Sequence, residues 1–482
     1  VIARGAFGAQ LNFWRQRMEG ADIADVYYPA FLINGEESIE YPEFKPGEKV
    51  RLRIIDGGAS TSFWMTFGGE DPLLVSADGL DVVPVKKNKT FIGIAEAYDF
   101  IVTIPKEGKI EFKITAQDGS GTASAFLGTG KVLKAQKIPK PDKIGMMMKM
   151  AKMDMKMGAH ALKYRPSKDE RFKIKDEYGM QMDKMKGMKM DGEIKMDNSK
   201  MSGMNINNPK DTIAMSKMNH SNMTGMDMKK ENTMPEMKME GMDLFAEYNY
   251  NYLKSPEKTN YDKNVPVKEV LLNLTGNMNR YIWSMNGVPL SEADNIKINN
   301  KEVTRITFNN LTMMHHPMHL HGHFFRVINI NGDYSPLKHT VNVPPMQKVT
   351  LEFYGNNGDE AGDWFFHCHI LYHMMGGMAR VVSYDTPRDP KMDEFPASKI
   401  IEETDLWYTW GLADAASHTT GFIFTASNIR NQFNASFEYG WNQNMEGEFT
   451  YERYLHDYLR VFGGVNLENE TRGRLDKLNT TA

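Results

Sequence analysis

His316-Pro317-Met318-His319-Leu320-His321-Gly322-His323 and, some forty residues on, His367-Cys368-His369-Ile370-Leu371-Tyr372-His373, with Met378 following, decide how this chain is read. The second stretch sets the only cysteine of 482 residues between two histidines. Copper electron-transfer sites take two imidazoles, one thiolate and a weak axial thioether. His316, Cys368, His373 and Met378 supply that set once and use up the cysteine. Neighbours along a strand point to opposite faces, so His319, His321, His367 and His369 are expected to face away from this set and to hold other metal ions. Because His367 and His369 flank Cys368, covalent bonds would connect the two groups of ligands. A surface zinc site, or an accident of composition, is the plain alternative. It would require two separate motifs to match at every ligand position by chance.

The pair of motifs resembles the C-terminal domain of the multicopper oxidases. Leu274-Thr275-Gly276-Asn277-Met278, Thr312-Met313-Met314, Leu371-Tyr372-His373-Met374 and Asp22-Ile23-Ala24-Asp25-Val26 look like that family's copper-resistance branch, the copper-resistance protein A type. The similar regions are about 15–135 and 265–385. The resemblance implies cupredoxin β-sandwich domains, a periplasmic location, oxidation of Cu(I) or phenols, and reduction of dioxygen to water. It also implies a blue (type 1) copper on His316, Cys368, His373 and Met378. Cys368, His367 and His369 would then carry electrons onward, with His321, His367 and His369 sharing the paired (type 3) coppers and His319 serving the type 2 copper.

A complete oxidase of this kind would need eight imidazoles around its three-copper cluster. Four would come from a first domain carrying His-x-His-Gly and His-x-His. Here the first histidine is His160, so residues 1–159 contribute none. The chain starts with Val1, and nothing near it resembles a signal peptide. The expectation is therefore a chain lacking an N-terminal region, able as given to hold the blue copper but not the complete oxygen site. A non-catalytic copper-binding or sequestering protein is the second reading, and upstream His-x-His motifs would separate the two. A nitrite reductase is a third, against which both cysteine-flanking histidines count.

Length exceeds what one hydrophobic core normally supports, so several units are expected. A net charge of −4 and a pI near 6.4 give no basic patch for nucleic acid. One cysteine excludes an intrachain disulfide, and no stretch approaches the about 18 apolar residues of a membrane helix. The fold class read from the pattern is all-β. Residues 1–138 form a cupredoxin-like domain without metal ligands, with alternation at Val50–Ile54, Tyr98–Val102 and Ile110–Ile114, and its expected role is structural. Asp81 and Glu96 in it show no partner pattern for acid–base work. Residues 263–388 form the copper-binding domain, with strands near Val303–Phe308, Phe324–Ile328, Lys348–Phe353, Trp364–His369 and Ala379–Tyr384.

Between them, 139–262 reads as a disordered low-complexity linker, and 24 of the 37 methionines fall between Met146 and Met242. Met-x-Met repeats such as Met188-Lys189-Met190 and Met226-Asp227-Met228 offer soft thioethers suited to Cu(I), with His160 or His220 in support. A spacer of no function is the alternative. His339 is expected to be structural, and His418 and His456 to face solvent. The tail, 400–482, alternates Phe433, Ala435, Phe437, Tyr439 and Trp441 with polar residues, as outer-membrane strands do. It resembles part of the barrel of copper-resistance protein B. A barrel needs at least eight strands, and about four or five are expected here, so the tail is either a cut barrel or a small sheet.

Overall fold

The strand Ala97–Thr103 buries Tyr98, Phe100 and Val102 and leaves the residues between them less covered, and this dyad repeats through the chain. Two such half-apolar sheets must close face to face, and they do so twice. In the first sandwich one sheet runs Ser38–Tyr41, Thr122–Gly128, Lys109–Ala116, Phe63–Phe67, Thr90–Ile92. The facing sheet runs Lys49–Ile55, Ala97–Thr103, Leu73–Ala77, Leu80–Lys86. In the second sandwich the strands Ile282–Met285, Val267–Asn277, Val303–Asn310, Lys348–Tyr354, Phe325–Val327 and Leu337–Lys338 form one sheet. Ile296–Ile298, Ala379–Tyr384, Asp363–Cys368, His316–Leu320 and Thr340–Val343 form the other. The fold is all-β, as expected.

This architecture is that of a computed structural model, which describes residues 5, 7, 8, 11, 23–151, 155–156, 159–165, 179–180, 246–356, 362–387, 390–469, 472 and 474–481. Most of the methionine-rich stretch, with His220 and the repeats expected to bind Cu(I), lies outside the described residues. Its two ends lie inside them and differ from a disordered linker. Lys143–Met150 is a helix whose N-cap Asp142 accepts a hydrogen bond from the Gly145 N–H at 3.0 Å, and it buries Met147 and Met150. At the other end Tyr250 and Leu253 are buried in the same apolar cluster that holds Phe100, Phe308 and Phe353. The two sandwiches thus share one continuous core.

The tail is a six-stranded antiparallel meander, Tyr408–Ala415, Thr419–Ser427, Asn431–Gly440, Met445–His456, Leu459–Glu468 and Lys477–Thr481. The expected four or five strands fall short because the first four turns take only two to four residues each. Among the described residues its first and last strands are not paired, so it is an open sheet rather than a closed barrel. The register sorts its faces. Phe422, Phe437, Leu467 and Leu478 lie in one cross-strand row, and Phe424, Ala435, Phe449 and Val465 in the next but one. The row between them, on the opposite face, carries Leu412 and Ile423 on the first two strands and then Ser436, Glu448, Asn466 and Asn479.

Residues 159–165 are pinned between the tail and the second sandwich. The Asp457 carboxylate accepts from the Ala161 and Leu162 N–H groups at 2.9 and 2.8 Å, and the Ser284 hydroxyl donates to the Ala161 carbonyl at 2.6 Å. Arg430 reaches Glu292 in the same interface, and the Arg280 guanidinium lies 3.3 Å from the Tyr454 ring centroid. His456 stands half-buried against His160, with ring centroids 3.8 Å apart, rather than facing solvent.

Candidate metal centre

Two adjacent antiparallel strands, His316–Leu320 and Asp363–Cys368, bring the motifs together. Their register pairs Met318 with Cys368 and His319 with His367, so alternation sends the cysteine to one face of the sheet and His319 with His367 to the other. Gly322 ends the first strand's motif at φ +71°, and a Cβ there would come within 2.2 Å of the Trp364 ring. Only glycine allows that turn to lie against the tryptophan. After Cys368 the chain makes the short helix Leu371–Met375, which returns His373 toward the cysteine. Gly377, at φ +109°, then reverses it so that the Met378 N–H donates to the His373 carbonyl at 2.9 Å and the Cys368 N–H donates to the Met378 carbonyl at 3.0 Å.

On the first face three donors form a triangle. The Cys368 Sγ lies 3.7 Å from His316 Nδ1 and 3.7 Å from His373 Nδ1, and the two nitrogens are 3.1 Å apart. All three residues, and Met378, are fully buried. Bonds of about 2.0 Å to nitrogen and about 2.3 Å to sulfur, meeting at one centre, give separations of this size. Two imidazoles, one thiolate and a nearby methionine are the donor set of a blue-copper site, and the residues present fit copper. Burial holds the imidazoles of His316 and His373 below the usual histidine range, so both are neutral at pH 7. Burial also pushes the Cys368 thiol well up. Metal uptake therefore has one donor proton to displace, that of Cys368.

Behind His373 stands a partner the sequence analysis did not assign. The Asp25 carboxylate lies 3.1 Å from His373 Nε2 and accepts from the Tyr281 hydroxyl at 2.7 Å. Burial alone would raise this carboxyl, but its hydrogen bonds with His373 and Tyr281 outweigh it and hold it below its ordinary value. Trp283 stacks on the His373 ring with centroids 3.6 Å apart and planes 26° apart. The Asp22–Val26 phrase was the one available signal for Asp25, since an acidic residue there has no apolar reason to be buried. Trp283 gave no signal in sequence beyond its presence.

On the opposite face His319, His321, His367 and His369 converge. His321 Nε2 and His367 Nε2 are 3.0 Å apart, and ring centroids lie 4.8 Å apart for His319 and His321 and 5.8 Å apart for His319 and His369. The His319 Nδ1–H donates to the His339 carbonyl at 2.9 Å, and the His367 Nδ1–H to the Cys368 carbonyl at 2.9 Å. Each leaves its Nε2 directed elsewhere, the pattern of a histidine prepared to ligate. The Nδ1 of His369 is buried with no hydrogen-bond partner among the described residues. Burial lowers His319 to about 4 and His367 to about 3, so these imidazoles are neutral. His339 packs beside the group, its ring centroid 5.1 Å from that of His319.

The first sandwich carries no histidine within its described residues, as the sequence requires, yet it touches the site. The Leu371 N–H donates to the Ala59 carbonyl at 3.0 Å, directly after the cysteine motif.

A family model described as Multicopper oxidase matches residues 264–388, and a second with the same description matches 14–132, together more than half the chain. The chain is 33% identical over 401 residues to copper resistance protein A of Escherichia coli, covering 78% of this chain and 63% of that protein. It is 33% identical over 412 residues to copper resistance protein A of Pseudomonas syringae pv. tomato, with the same coverage. Multicopper oxidase MmcO of Mycobacterium tuberculosis is 26% identical over 367 residues, 76% of this chain and 52% of that protein. The chain spans less than two thirds of the length of these relatives. The matched segments contain both sandwiches and every donor of the triangle, and the chain belongs to the multicopper oxidase family.

Proposed function

We propose that this protein is a copper-resistance oxidase, oxidising Cu(I) or phenolic reductants and reducing dioxygen to water in a periplasmic setting. The observation that carries the reading is the buried triangle of His316 Nδ1, Cys368 Sγ and His373 Nδ1, with the buried Met378 hydrogen-bonded through its backbone to both His373 and Cys368. Copper held there supplies one-electron redox chemistry. Asp25 and Trp283 fix the His373 ring from behind, and the closed apolar shell excludes water from the thiolate. The backbone from Cys368 to His367 and His369 is a covalent path from the triangle to the second histidine group. His319, His321, His367 and His369 would supply this domain's share of the type 2 and type 3 copper ligands, and a first domain carrying His-x-His pairs would complete it. Released electrons are taken up four at a time, with four protons, by one dioxygen to give two waters.

Electron paramagnetic resonance of the copper-loaded, oxidised chain tests the reading. A blue-copper signal is expected, and its absence overturns the assignment. A second, ordinary cupric signal lost in His319→Ala would mean that the other histidine group binds copper without further ligands. Its absence would leave a single-site copper-binding chain, the non-catalytic alternative.

The tail is proposed to lie against the outer membrane. Its more apolar face carries Phe422, Phe437, Phe449 and Leu478, all exposed, and its opposite face mixes Ser436, Glu448, Asn466 and Asn479 with the exposed Trp410, Leu412, Ile423 and Phe462. On the third strand, where Gln432, Asn434, Ser436 and Glu438 alternate with Phe433, Ala435, Phe437 and Tyr439, that is the division between a lumen-facing and a lipid-facing surface.

A further inference from the structure

The group of buried charges at the joint between the two sandwiches is not used by the copper site, and it demands an explanation. Lys338, Asp78 and Glu96 are fully or almost fully buried, with Lys338 Nζ 3.0 Å from Asp78 and 3.2 Å from Glu96. The Tyr250 hydroxyl donates to Glu96 at 2.5 Å and accepts from the Asn342 N–H at 2.6 Å. An apolar set of the same volume would hold such an interface at least as well, since taking ions out of water costs as much as their pairing returns. Packing therefore does not account for the charges.

Asp78 sits in the two-residue turn Asp78-Gly79, between the paired residues Ala77 and Leu80, with φ +49° and +82°. Asp-Gly is a favoured pair for such a turn, but the turn alone asks for an exposed aspartate. Here the side chain crosses into the second sandwich. Its Oδ2 accepts from the N–H groups of both His339 and Thr340, at 3.1 Å each, while its Oδ1 accepts from the Ala97 N–H at 3.0 Å.

Those two residues are the ones that hold His319. The His339 carbonyl accepts from His319 Nδ1 at 2.9 Å, and the Thr340 hydroxyl lies 3.0 Å from the same nitrogen. The Thr340 hydroxyl also lies 2.9 Å from His339 Nδ1, to which it donates while accepting from His319. One carboxylate of the histidine-free sandwich thus grips the donor side of a two-residue segment whose acceptor side sets the tautomer of a cluster histidine. Lys338, adjacent to that segment, keeps the carboxylate compensated.

We propose that Asp78 is a positioning residue for His319: through His339 and Thr340 it fixes the ring as its Nδ1–H tautomer and leaves Nε2 free for metal, with Lys338, Glu96 and Tyr250 holding Asp78 in place. The proposal rests on His319 being a metal ligand, as in the proposed function, but its first readout needs no metal. The first sandwich then does more than support its neighbour. It sets the geometry of a centre to which it gives no ligand.

Two-bond proton–nitrogen spectra of the imidazoles, recorded on the metal-free full chain, test this. His319 is expected as a single Nδ1–H form in the unaltered protein and as a mixture of tautomers in Asp78→Asn. Zn(II) affinity of the His319 group should fall by roughly tenfold to hundredfold, the usual effect of losing a residue that orients a ligand. His316 and His373 signals should not move. A folded Asp78→Asn chain with His319 in its original single form overturns the proposal. If that variant does not fold, the unaltered chain decides. Scalar couplings across hydrogen bonds from the His339 and Thr340 amides to the Asp78 carboxylate carbon are expected, and their absence overturns it. Failure of the copper reading looks different, since a chain with no blue signal can still show the predicted His319 tautomer.

Discussion

The two sandwiches are built alike and share one core, yet polar groups are buried in them for different ends. In the second, the buried polar groups near the strand ends are imidazoles and a thiol that point at one another, His316, Cys368 and His373. In the first they are carboxylates, Asp56, Asp78, Glu96 and Glu111, that point at backbone amides or cations. The same scaffold serves as a metal holder or as a brace according to which side chains stand at its ends, which is why fold alone does not give function.

The largest effect that would break this contrast is Cys368→Ser. Serine fills the buried space of the cysteine but cannot supply the soft thiolate, so the copper-loaded variant should lose its blue absorption completely while remaining folded. Retained colour would remove the metal assignment from the second sandwich.

The counterpart in the first sandwich is Phe100→Ala. Phe100 is fully buried between Phe67 and Tyr98, and truncating such a ring costs about 3–5 kcal/mol. Denaturant unfolding should show that loss, while the absorption of the folded fraction stays as it was. A changed spectrum would mean that core packing of the brace reaches the copper site directly.

A smaller effect sharpens the contrast at Asp25, the carboxylate that among the described residues touches His373. Asp25→Asn keeps the volume beside His373 but removes a negative charge. That charge favours the more positive, oxidised state of the centre, so its loss should raise the midpoint potential. A tenfold to hundredfold change in relative affinity corresponds to a rise of roughly 60–120 mV for one electron. A potential that stays or falls in a spectroelectrochemical titration would show that Asp25 acts through packing alone.

The donors of the triangle were legible because copper demands residue types that are rare and closely spaced, and alternation along a strand separated Cys368 from His319 and His367 in advance. The strands near Val303, Lys348 and Ala379 were legible for the same reason. Asp25, Trp283 and Asp78 were not, because each reaches its partner from a distant part of the chain. His373 and Asp25 are 348 residues apart, and Thr340 and Asp78 are 262 apart. No local period encodes such a meeting. Glu96 shows the same limit: its partners Lys338 and Tyr250 belong to the other sandwich and to the stretch read as a linker. The six strands of the tail were undercounted because turn length, not strand pattern, sets how many fit.

The tail extends the comparison to a sheet that buries neither face in a core, and it carries the smallest expected effect. Phe437 is 40% exposed on the apolar side, with Phe422 and Gly447 as its cross-strand neighbours. Only that exposed fraction is newly removed from water when the face meets lipid, so Phe437→Ser should weaken binding to vesicles by about 1 kcal/mol, roughly fivefold. Ser436, one residue away and pointing the other way, supplies the control: Ser436→Ala should leave vesicle binding unchanged. Equal losses in both variants would mean that the sheet does not present one side to lipid, and that its aromatic rows are covered by protein instead. Unequal losses would make the tail the third use of one dyad pattern in this chain, after the brace and the metal holder.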